Sequence, residues 1–344
     1  MYNTIAHNTS KSKKSRDLNF ELLRILSIIS IVTGHLSSIG PSIINPLTVL
    51  GDVNCFILIS GYFMIDGQYK TYRILRLAVE TIFYCFSISL LFYIFTPNLS
   101  IGILIKSLIP FGPHAYSYWF INKFIGLLLL QPFLSKLATL LSKRQYQYLL
   151  LILLAINSEL IFGFPFASIF NNGWSLSWFI TLFYIGGYVR KYNPFNGFQW
   201  WGATYIITVI VLLIISSYNF KYINIQYNNW FFFAKSFSIF MWIHTLNIPY
   251  DSIIGKIVNF FAPNILAVYL IHNQQLILNW LIYLGSTVYI QQVELHLVYW
   301  CMFSCIIIIL CTLIDKSRMF LFNFFGISTQ IASISLKFDN KIRI

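Results

Sequence analysis

The chain has 344 residues and a formal net charge of +13; 58% of its residues are hydrophobic, 19% aromatic and only 10% charged, with a mean hydropathy of +0.71. Soluble domains carry about 25% charged residues, so this composition excludes an ordinary soluble fold and defines an integral membrane protein. It also argues against nucleic acid as a partner, because the basic residues punctuate apolar segments and do not gather on one face.

A window of about 20 apolar residues per crossing predicts an all-α polytopic fold of ten transmembrane helices. They fall near 20–40, 47–65, 74–96, 118–136, 146–163, 174–190, 199–218, 230–249, 262–284 and 293–314. The expected division is a basic cytoplasmic tail over 1–19, a membrane domain over 20–314 and a cytoplasmic C-terminal tail over 315–344. Lys11 to Arg16 followed by an apolar run resembles a signal peptide. No small-x-small cleavage site follows and Arg24 interrupts the run, so a retained first helix is expected. With the N-terminus cytoplasmic, only Lys106, Lys123, Lys221 and Lys235 of the 23 basic residues fall outside, as the positive-inside rule requires, and both termini come out cytoplasmic. Residues 97–117, with Pro97, Pro110 and Pro113, and residues 163–175 read as re-entrant or interfacial pieces.

Within the first helix Arg24 and His35 stand eleven residues apart. That interval returns to within about 20° of the same helix face, roughly 16 Å further along the axis. Ionisable groups inside a membrane helix are costly, so a guanidinium and an imidazole on one stripe are expected to face a protein interior or a wet cavity, where a bound molecule could span the two. Arg24 alone has a plainer explanation, snorkelling to headgroups or pairing with Glu21 at i, i+3.

Asp52 and Asn54 lie near the outer end of the second helix, where a carboxylate could orient His35 as in triad chemistry; a helix-start role for Asp52 is the alternative. After that helix, ArgIleLeuArg places Arg73 and Arg76 on one face. Two guanidiniums so spaced suit phosphate oxygens, though topology charge alone could account for them. Ser60-Gly61 and Gly186-Gly187 permit close helix approach. His272 is the second intramembrane imidazole, placed at mid-span of the ninth helix, and His244 is a weaker candidate. The five cysteines lie in apolar runs and form no disulfide framework, and no metal site is expected.

The ordered set AsnPheGluLeuLeuArg (19–24) with His35, SerGlyTyrPheMet (60–64), ArgIleLeuArg (73–76), TyrTrpPheIle (118–121) and TyrLeuIleHis (269–272) resembles the acyltransferase family 3 membrane proteins, in particular their glycan O-acetyltransferase branch. The resemblance runs from the first helix to the ninth. It implies a ten-helix domain that takes acetyl from cytoplasmic acetyl-CoA and delivers it to a hydroxyl of a capsular or exopolysaccharide, in a bacterial plasma membrane. It implies Arg24, Arg73 and Arg76 as donor-binding residues and His35 as general base or acylated nucleophile, with Asp52 as orienter. Ser60, Trp119 and His272 stand as acceptor-side or supporting residues. Acetyl-CoA is then the co-substrate and no metal is needed; a glycan acceptor and the lipid bilayer are the partners. Some members carry an extracytoplasmic esterase-like domain, which is not expected here, leaving room for a separate extracytoplasmic partner. Ser135 stands where an asparagine is frequent, and AsnGlnGln follows His272 where an acidic residue is common. The rival expectation is a transporter or flippase for an anionic or lipid-linked solute, with the histidines as a proton relay.

Overall fold

The computed structural model describes residues 16–40, 49–95, 100–109, 118–158, 173–195, 197–217, 226–288 and 292–342. They form helices and connecting turns, with no extended strand among the described residues. In chain order the α-helices are α1 (Leu18–His35), α2 (Val53–Met64), α3 (Thr71–Phe95), α4 (Ile101–Ser107), α5 (Trp119–Leu140), α6 (Lys143–Asn157), α7 (Leu176–Tyr192), α8 (Trp201–Ser217), α9 (Trp230–Thr245), α10 (Ile253–Phe261), α11 (Ile265–His272), α12 (Gln275–Ser286), α13 (Val293–Phe324) and α14 (Ile327–Ile342). Lys11, Lys13, Lys14, Pro97, Pro110, Pro113 and Lys221 lie outside the described residues, as does most of the 163–175 loop.

Helix stands at each of the ten expected positions, but among the described residues five stretches are long and apolar enough to cross a membrane. These are α1, α3, α5, α13 and Ile253–His272, which joins α10 to α11 through a 3-10 turn at Ala262–Asn264. The ninth expected span is displaced. Its sequence breaks at Asn273 and Gln274, where the Gln274 side chain accepts from the N–H groups of Leu276 (2.6 Å) and Ile277 (3.3 Å) and starts α12. His272 therefore ends a helix, away from mid-span. The second span is shorter than expected: α2 has 12 residues. Residues beyond 314, expected as a tail, carry α13 on to Phe324 and then form α14.

Phe20 near the start of α1 packs against Tyr62 (4.8 Å between ring centroids) and Phe63 (5.2 Å) near the end of α2, so the two helices run in opposite directions. Glycine sets how tightly α2 meets α7. A methyl group on Gly61 would lie 2.2 Å from the Phe183 carbonyl oxygen, and one on Gly186 would lie 2.1 Å from that of Leu58. Only hydrogen fits at either crossing. At the far end of α2, Gln131 Nε2 donates to the carbonyls of Met64 (3.1 Å) and Gly67 (3.0 Å), and Ser135 Oγ donates to Met64 (3.2 Å). These bonds add side-chain donors to the carbonyl of the last helical residue, which also accepts from Gly67 N–H, and to the carbonyl of Gly67 just beyond it.

Candidate active site

A cavity of about 700 Å³ runs between α1, α2, α3, α5 and α11. From α1 it is lined by Asp17, Glu21, Arg24, Ile28, Ile31 and His35, a sequence of alternating four- and three-residue steps that follows one face of a helix. Arg24 and His35 therefore line one space, as their spacing predicts. Arg73, Arg76, Ser60 and Trp119 line it too.

Arginines mark one end. Since α3 begins seven residues after α2 finishes, and the end of α2 meets the start of α1, Arg73 and Arg76 lie at the Arg24 end of the space. Arg24 Nη1 is 2.7 Å from Glu21 Oε1, so the plainer expectation for Arg24 holds alongside its place in the cavity wall. Arg76 Nε is 2.8 Å from Glu80 Oε1. Arg73 differs: its Nη1 is buried and has no hydrogen-bond partner among the described residues. A buried donor without an acceptor is costly, and on a guanidinium it fits an anionic ligand that would complete it.

Histidines mark the other end. His35 Nδ1 lies 2.9 Å from His272 Nε2, and the two rings meet at their edges, tilted by 32° with their centroids 5.1 Å apart. The other nitrogen of His272, Nδ1, meets the carbonyl oxygen of Val268, which can only accept. His272 is thus assigned the Nδ1–H tautomer, and its Nε2 accepts from His35 Nδ1–H. That leaves Nε2 of a neutral His35 with a free lone pair. His272 is fully buried while His35 is half-buried on the cavity wall, so the pair is layered, one ring behind the other. Both occupy the last turn of their helices, where the helix dipole favours a positive charge by about 0.3–1 kcal/mol. An imidazolium at His35 has that field and the His272 acceptor to stabilise it.

The structure gives Asp52 a different set of partners from the one expected. It is fully buried, caps α2 by accepting from Asn54 N–H (2.7 Å), accepts from Ser236 Oγ (2.6 Å), and lies 2.8 Å from Lys235 Nζ, itself fully buried. The reason is depth. A methyl group on Gly51 would meet Ser27 Oγ, so α2 starts beside Ser27, eight residues or about 12 Å below His35. The orienting contact at His35 comes from His272. Lys235, counted among the outer-side charges, is buried within α9. The alternative expectation, a helix-start aspartate, describes Asp52 better, with the exposure replaced by an ion pair.

Ser60 borders the cavity, but its hydroxyl donates to the Phe56 carbonyl at 2.7 Å and presents only lone pairs. Trp119 is held between Trp174 (5.0 Å, stacked) and Tyr227 (6.0 Å), forming part of an aromatic wall. Tyr269 and Phe120 continue that wall. His244 lies elsewhere, bonded to Tyr62 OH at 3.1 Å. Neither the histidine pair nor the link from Arg318 to Glu80 (3.0 Å) was expected. Only the local Arg76–Glu80 spacing of four residues carried a sequence signal for this network.

These features define a helical membrane protein in which one cavity joins an arginine-lined end to a histidine-lined end. A family model described as an acyltransferase domain, Acyl_transf_3, matches residues 17–316. The chain belongs to this acyltransferase family, and its class of activity is membrane acyl transfer. That class takes the place of the transporter expectation. No curated protein and no solved structure matches the chain significantly.

Proposed function

We propose that this chain is an O-acetyltransferase that takes acetyl from acetyl-CoA at the arginine end and delivers it, at the histidine end, to a hydroxyl of a membrane-associated or extracytoplasmic glycan of the capsular or exopolysaccharide class. The observation that carries this reading is the cavity itself, which holds Arg73 with an uncompleted guanidinium and His35 with a free Nε2. In this reading the arginine end faces the cytoplasm, both termini are cytoplasmic, and the enzyme sits in a bacterial plasma membrane.

Arg73 and Arg76 hold the phosphates of the donor, with Arg24 beside them. The roughly 16 Å between Arg24 and His35 is spanned by the thioester arm, past Ile28 and Ile31. His35 Nε2 takes the proton of the acceptor hydroxyl as that oxygen bonds to the acetyl carbon. The carbon–sulfur bond breaks, and the imidazolium returns the proton to the departing sulfur, leaving an ester and a free thiol. His272 holds the ring in the tautomer that keeps Nε2 available.

Replacing His35 with alanine in the producing cell should remove acetate from the surface glycan while the protein still accumulates in the membrane. Acetate retained on the purified glycan would sink the assignment. Hydrolysis or transfer of acetyl-CoA by purified protein in detergent tests the donor separately.

A further inference from the structure

We propose that Glu80 and Arg318 form a positioning device for Arg76, fixing how its guanidinium meets the acyl donor; this rests on the reading of the arginine end as the donor site. Glu80 follows Arg76 by one turn of α3 and is 3% exposed, whereas Arg76 is 44% exposed at the cavity wall. A single carboxylate oxygen, Glu80 Oε1, lies 2.8 Å from Arg76 Nε and 3.0 Å from Arg318 Nη1. Arg318 comes from α13 and is itself held: its Nε lies 2.6 Å from Asp315 Oδ1, and its guanidinium stands over the Phe322 ring at 4.8 Å. Asp315 accepts a further bond from Tyr84 OH at 2.6 Å, which returns the chain of contacts to α3.

The charge balance gives the device its direction. Glu80 and Asp315 carry two negative charges in a buried setting, and the buried Arg318 offsets one of them. The remaining charge is met by Arg76, so the network attracts the Arg76 side chain and holds it through Nε. The two Nη groups are left to donate end-on toward the cavity. A flexible four-bond side chain is thereby held in one pose before the donor arrives, which lowers the cost of ordering it on binding. Arg73 has no such support, and its Nη1 is without a partner. The pair is asymmetric: Arg76 is held from behind and Arg73 waits to be completed. Met319, the neighbour of Arg318, lines the cavity, so α13 reaches the donor site through both residues.

The test is a double-mutant cycle on the purified full chain, with acetyl-CoA as the varied substrate. Glu80→Gln should raise KM for acetyl-CoA about fivefold with little change in kcat, the size expected from one hydrogen bond of ordinary strength. Arg76→Ala should raise KM by more. Combining them should add nothing, because Glu80 acts through Arg76. A Glu80→Gln effect that persists undiminished in the Arg76→Ala background would overturn the positioning role. An unchanged KM in Arg76→Ala would instead overturn the donor-site reading on which it rests. If Glu80→Gln does not accumulate as folded protein, Glu80→Asp enters the same cycle; it keeps the charge but withdraws the carboxylate, and must raise KM only when Arg76 is present.

Discussion

The two ends of the cavity are built by different means. At the arginine end the contacts are mostly local: Arg24 with Glu21 and Arg76 with Glu80, each within one turn of one helix. At the histidine end the defining contact joins residues 237 positions apart, and two helix C-termini converge to make it. The arginine end is also the more exposed: Arg24 and Arg76 are 29% and 44% exposed, while His272 has no exposed surface. On the proposed reading, binding at one end works in partial contact with solvent, whereas chemistry at the other depends on one fixed proton arrangement. Substitutions at the two ends should therefore fail in different ways.

The largest effect is expected at His35. Alanine there removes the base and should lower kcat by about 10³- to 10⁴-fold, the upper range for a positioned acid–base group. Next comes Lys235→Met, which leaves Asp52 as an uncompensated buried charge and should cost about 3–5 kcal/mol of stability. A thermal melt of the purified protein would show it, with acetyl-CoA affinity per folded molecule unchanged. If transfer per folded molecule is lost with stability intact, the Asp52 pair belongs to the chemistry after all. His272→Ala should lower kcat by about 10²-fold while leaving acetyl-CoA binding alone, because the base survives without its fixed tautomer. Equal kcat in this variant and the parent would erase the layered pair as a functional unit. Smallest is Arg73→Ala, which should weaken acetyl-CoA binding roughly 10- to 100-fold, with kcat at saturation little changed.

Legibility in the sequence follows the same divide. Helical periodicity placed Arg24 and His35 on one stripe, and the cavity wall follows that stripe from Asp17 to His35. Ser60-Gly61 and Gly186-Gly187 read as sites of close helix approach, and the structure shows that the helices they bring together are α2 and α7. What failed was depth. Hydropathy gives a segment but not where its first turn begins, so the second span was drawn to start ahead of Asp52, the residue that caps α2, and Asp52 was placed level with His35. The break at Asn273 and Gln274 was hidden by the apolar residues on both sides, and with it the position of His272 at a helix end. Lys235 was counted among the outer-side charges, because a buried lysine is legible only once its aspartate is found, 183 residues away. The contact from Arg318 to Glu80 is equally non-local and left no pattern in either segment.

The division of labour along the cavity is tested most directly by titrating acetyl-CoA into purified His35→Ala and Arg73→Ala proteins and measuring dissociation constant and acetyl-transfer rate side by side. The account predicts that His35→Ala binds acetyl-CoA like the parent but does not transfer, while Arg73→Ala binds about 10- to 100-fold more weakly and still transfers at saturation. Transfer by His35→Ala, or undiminished binding by Arg73→Ala, would contradict it.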